Sequence, residues 1–141
     1  MYKRQPDTPR GRAEFLQAVD PGDATASHQH LREIFQAEMA YRKNDDDHDY
    51  FENIYHCAYL LFRVGDPSDV PAMWAAKHIN MDTGTGLDIE FLLGAGRDAT
   101  DTYLRANGFE EIAQELTDRG VRDDELTEWS MYRQNYFYPQ Q

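Results

Sequence analysis

The chain has 141 residues, 40% hydrophobic and 13% aromatic, with 26 acidic against 14 basic side chains and a net charge of −12. That is one domain's worth of sequence with enough apolar material for a single core, and its sign opposes nucleic-acid phosphates and anionic lipid, so neither is expected as a partner. A lone cysteine, Cys57, excludes an internal disulfide, and no stretch reaches the roughly 18 apolar residues of a membrane helix, so a soluble, cytoplasmic protein is the expectation.

Met1-Tyr2-Lys3-Arg4-Gln5 reads as the translation of a transposon-end adapter used in preparing sequencing libraries, with a valine codon taken as the start. On that reading these residues are a processing scar, the source is microbial, and the natural chain begins upstream, which leaves open a fragment of a larger protein. Without Lys3 and Arg4 the balance is 12 basic against 26 acidic residues, or −14. Pro6, Pro9, Gly11, Pro21 and Gly22 interrupt any period from 6 to 26, apart from a short helical turn around Phe15, Leu16 and Val19. Residues 1–26 are therefore expected as scar plus flexible tether, and 27–141 as one all-α domain.

The first full helix is predicted over 27–43, where Leu31, Ile34, Phe35 and Met39 recur three and four apart behind Ser27 as the cap. The acidic break 44–49 leads into a second helix over 47–64. Its apolar residues, from Phe51 through Ile54, Tyr55, Ala58 and Tyr59 to Phe62, cover most of the circumference and make it central. Gly65 ends it, and a short third helix carries Val70, Met73 and Trp74 to about His78. Asn80 to Gly86 reads as a loop and Leu87 to Leu93 as a helix. Gly94-Ala95-Gly96 is a tight connection to a helix over 97–107, which Asn107-Gly108 stops. Phe109, Ile112, Ala113 and Leu116 mark another, stopped by Gly120. A last helix carries Leu126, Trp129, Tyr132, Arg133 and Tyr136 on one side. The expected fold is an all-α globule of six or seven short-to-medium helices with hairpin-like packing, although no repeat family's signature residues occur.

Local motifs argue against most chemistries. Gly94-Ala95-Gly96-Arg97-Asp98-Ala99 fits the dinucleotide fingerprint G-x-G-x-x-A, but the chain has no room for the parallel sheet that makes that turn bind pyrophosphate. Asp45-Asp46-Asp47-His48-Asp49 alternates oxygen donors as a calcium loop does. Tyr50 stands where an EF-hand needs glycine, and His56 where it needs glutamate. The solvated start of a helix is the plainer reading.

His28 and His30 would point about 200° apart on a helix, and His48 and His56 would stand about 12 Å apart along one. A metal site would thus need the fold to gather His48, His56, His78, Asp82 and Asp88, which defines the alternative reading, a small helical metal-dependent enzyme. Cys57, inside the most apolar helix, reads as an inert core thiol. No P-loop, serine elbow or Cys–His signature appears, so no catalytic residue and no cofactor is assigned.

Eight acids lie between Glu110 and Glu128 against only Arg119 and Arg122, followed at once by Trp129, Tyr132, Tyr136, Phe137 and Tyr138. Charge steers an encounter and buried rings anchor it, so acid next to aromatics suits a basic protein partner. Glu125, Glu128, Trp129, Tyr132, Tyr136 and Phe137 are the expected contacts. The leading expectation is a non-catalytic acidic interaction protein, of the immunity or chaperone type, that neutralises a basic partner.

Overall fold

Every residue from Asn53 through Leu61 is buried, so the helix that holds them is surrounded by protein and the other elements are arranged about it. The computed structural model describes residues 8–44 and 49–139. Its helices are α1 (Pro9–Ala18), α2 (His28–Asn44), α3 (Asn53–Val64), α4 (Val70–Lys77), α5 (Met81–Gly86), α6 (Arg97–Ala106), α7 (Glu110–Arg119) and α8 (Asp123–Phe137), with 3-10 segments at Pro21–Ser27, Pro67–Asp69 and Ile89–Leu93. The fold is all-α, with eight α-helices among the described residues where six or seven are expected, and no strand among those residues. α1, α2 and the 3-10 segments 21–27 and 89–93 pack on α3. α6 and α7 form a hairpin, and α8 closes over the 89–93 segment. Among the described residues no helix is long and apolar enough to cross a membrane.

Residues 8–26 are not a tether. Pro9 is the first residue of α1 and Pro21 the first of the following 3-10 segment, positions where the missing N–H costs nothing, so the prolines start elements rather than break them. The Thr8 hydroxyl caps α1 by accepting from Gly11 N at 3.0 Å. Leu16, Val19 and Ala24 enter the core. Arg12, itself buried, donates from Nε to Glu38 Oε2 at 2.6 Å, and Asn53 Nδ2 donates to the same oxygen at 3.0 Å and to Pro9 O at 2.9 Å. Three elements are thereby joined by one polar group inside the core.

Other expectations are corrected in detail. Ser27, expected to cap α2, is the last residue of the 3-10 segment that runs straight into it. α3 begins at Asn53 rather than 47, after turn residues 49–52. The segment 80–86, expected as a loop, is helix α5. Asn80 Oδ1 accepts from Thr83 N at 2.9 Å, Asn80 N donates to Thr83 Oγ1 at 3.2 Å, and this reciprocal cap outweighs the two glycines. At its other end Lys77 Nζ donates to the carbonyls of Gly84 and Leu87, satisfying acceptors that a short helix leaves open. Residues 89–93 form a 3-10 segment in place of the expected helix. It ends where Gly94 abuts α3, for a Cβ there would overlap the Phe62 backbone. The Gly94–Ala99 motif is thus a packed connection between helices. Gly108 stops α6 as expected, at φ +84°.

Removing Arg12 while leaving Glu38 in place strands a buried carboxylate. Arg12→Met is expected to cost about 3–5 kcal/mol, read by urea denaturation at neutral pH, whereas a detached tether would leave the midpoint unchanged.

Candidate partner-binding site

Residues three and four apart share a face of a helix, and α8 uses this to present two different faces. Leu126, Trp129, Arg133 and Phe137 turn toward the core. Trp129 meets Phe91 edge to face at 4.7 Å between ring centroids and donates from Nε1 to Asp88 Oδ2 at 2.9 Å. Arg133 Nη2 donates to the same carboxylate oxygen at 2.9 Å. Phe137 stacks on His56 at 4.7 Å. Glu125, Glu128, Tyr132 and Tyr136 form the outer stripe and are exposed. The single side expected for Trp129, Tyr132, Arg133 and Tyr136 is therefore two, and the six expected contact residues divide: Trp129 and Phe137 dock their own helix, while Glu125, Glu128, Tyr132 and Tyr136 face solvent.

Beside the stripe, the start of α3, α5 and α8 enclose a groove of about 740 Å³. Phe51 (41% exposed), Met81 (85%), Tyr132 (60%) and Tyr136 (46%) line it, and together with Met131 they are the large apolar side chains left exposed among the described residues. Four of these five sit in one place. Apolar exposure concentrated in this way is the kind of surface on which proteins dock partners, whereas scattered exposure carries no such meaning. Tyr136 donates its hydroxyl to Glu52 Oε2 at 2.5 Å, a bond that raises the Tyr136 pKa. Arg42 lies 5.6 Å from the Tyr55 ring centroid and donates to Phe51 O at 3.0 Å. Arg133 lies 5.7 Å from the Tyr132 centroid and 5.3 Å from that of Tyr136.

All eight acids from Glu110 to Glu128 are exposed. Glu125 Oε1 accepts from Arg122 N at 2.7 Å, tying the acidic first turn of α8 to the backbone, and carboxylates there also suit the positive end of the helix dipole. The Arg122 guanidinium, 3.0 Å from Asp124 Oδ1, holds that carboxyl below its ordinary range, and Arg122 is held above its own.

The residues considered for a metal are spread across the molecule. His48 lies outside the described residues, as do Asp45, Asp46 and Asp47 of the acidic loop. His56 is buried between Phe137 and Tyr138. His78 sits at the end of α4, its Nδ1 2.8 Å from Trp74 O. Asp82 is exposed in the first turn of α5, and Asp88 is engaged by Trp129 and Arg133. Among the described residues no group of three or more His, Cys, Asp or Glu side chains comes together. Cys57 is fully buried with Sγ 3.2 Å from Leu31 O, and burial pushes its thiol pKa well up, which disfavours the reactive thiolate.

Phe51, Met81, Arg42 and Glu52 were not legible as groove residues. Phe51 fits the apolar stripe of a helix that in fact starts two residues later, and Met81 falls in the segment expected as a loop. No family model, curated protein or solved structure matches the chain significantly.

His56 latches the end of α8 to α1. Its Nε2 is 2.8 Å from the Tyr138 hydroxyl, which donates to Leu16 O at 3.0 Å. Because that hydroxyl proton is committed, the neutral imidazole donates. Burial lowers the His56 pKa from 6.5 to about 4, so its contribution to stability is complete above pH 6.5 and is lost as pH falls toward 4. The loss from this one group is about 3 kcal/mol. His56→Gln, which keeps a donor, is expected to remove that part of the pH dependence, measured as the difference in unfolding free energy between pH 7 and pH 4.

Proposed function

We propose that the protein is a non-catalytic interaction module that binds a basic protein and neutralises or chaperones it, in the manner of an immunity-type protein. One observation carries the reading: Glu125, Glu128, Tyr132 and Tyr136 lie in a single exposed row on α8, and the acids of α7, which precedes it in the chain, are exposed as well. A net charge of −12 attracts a basic protein over about a Debye length, ~8 Å at physiological ionic strength, and raises the rate of encounter. The two tyrosines, held on a rigid helix with little rotamer entropy left to lose, then supply contact area that charge alone lacks.

The test is a photocrosslinking amino acid at position 132, expressed in a host that carries the chain's native neighbours. The expected product is a covalent adduct with a basic protein whose yield falls on raising salt and in the charge-reversed double variant Glu125→Lys, Glu128→Lys. Absence of a basic protein among the adducts, or a yield indifferent to both salt and charge reversal, overturns the reading.

A further inference from the structure

Resting on that reading, we infer that the groove between α3, α5 and α8 is the anchor site for the apolar face of an amphipathic basic helix, whose lysines or arginines run along Glu128 and Glu125. Among the described residues the groove offers no strand edge for an extended peptide to pair with, since apart from Phe51 and Glu52, in the turn before α3, its lining residues lie on helices whose backbone bonds are internal. A helical segment, with its own backbone satisfied, fits such walls. Its apolar side chains belong in the groove because Phe51, Met81, Tyr132 and Tyr136 are exposed there and nowhere else together. Met81, unbranched and 85% exposed, adapts to whichever side chain enters.

The partner's cations belong elsewhere. Arg133 already lies over Tyr132 and Tyr136, and Arg42 over Tyr55, so these rings are not vacant cages for another positive charge. Carboxylates instead continue along α8 from Tyr132 to Glu128 and Glu125, the whole row from Tyr136 spanning twelve residues, or about 16 Å. A bound helix of three turns matches that length, with apolar residues at one end of its contact and basic residues at the other.

Three synthetic helical 14-residue peptides test this by titration against the full chain, with isothermal calorimetry and Met Cε NMR shifts as readouts: one of leucine and lysine, one of serine and lysine with equal charge, and one of leucine and glutamate. The leucine–lysine peptide is expected to bind at least about tenfold more tightly than the serine–lysine peptide, and to shift Met81. That advantage is expected to vanish in the Met81→Ser, Tyr132→Ser double variant, whose changes are on the surface and whose helicity is checked by circular dichroism. Binding of the two lysine peptides with equal affinity overturns the groove as anchor while leaving the acidic reading of the protein standing. Equal or tighter binding of the leucine–glutamate peptide overturns both, and failure of the leucine–lysine peptide to bind overturns the groove.

Discussion

Burial of α3 from Asn53 through Leu61, on every side, is the constraint on which the rest of the structure depends. Nine successive residues with no solvent face must be enclosed by other elements, and here residues 9–44 supply one side while 89–93 and α8 supply the other. Enclosure has a polar consequence. Asn53 and His56 lie in the buried part of α3, and each has to be satisfied by a group from another element. Asn53 finds Glu38 and Pro9, and His56 finds Tyr138. Glu38, fully buried, is held by Arg12 and Asn53 on one oxygen, with no hydrogen-bond partner on the other among the described residues. An apolar set of the same shape could match or exceed the stability of such a pair, so its effect is better seen as registering α1 against α2 and α3.

The same enclosure determines what α8 can offer outside. Its inner residues are spent on docking: Trp129 and Arg133 share Asp88, and Phe137 covers His56. Because α8 is anchored along its length, Tyr132 and Tyr136 are held rigidly at the surface with Glu125 and Glu128 in line. A stripe on a loosely attached terminal helix would lose much of its affinity to ordering on binding. Fold and proposed function therefore share one cause, the aromatic and charge-assisted seating of the last helix on the 89–93 segment and α3.

Much of the fold was legible because helical periodicity is a local property. α2, α3, α4, α6, α7 and α8 follow from apolar residues three and four apart and from stops such as Gly65, Gly108 and Gly120. The errors have local causes too. Pro9 and Pro21 break a helical period in the sequence although they open their elements in the fold, and the Asn80–Thr83 reciprocal cap is hidden among glycines. Of the proposed binding surface, the acids and the aromatic content of α8 could be read directly, since both are properties of neighbouring residues. Trp129 and Phe137 could not be told from Tyr132 and Tyr136, for all four are aromatic and only their neighbours separate them.

What the sequence by itself determined is the all-α class, the central place of the 53–64 helix and the acidity of the 110–128 region, all of which are sums or periods over neighbouring residues. Tertiary structure alone decided that Leu16, Val19 and Ala24 belong to the core, that among the described residues no three metal-ligating side chains come together, and that Phe51 and Met81 stand beside Tyr132 and Tyr136. Those facts depend on contacts between residues up to 122 positions apart in the chain, from Leu16 to Tyr138. Side-chain burial across such separations is settled by packing of the whole chain, and no local pattern records it.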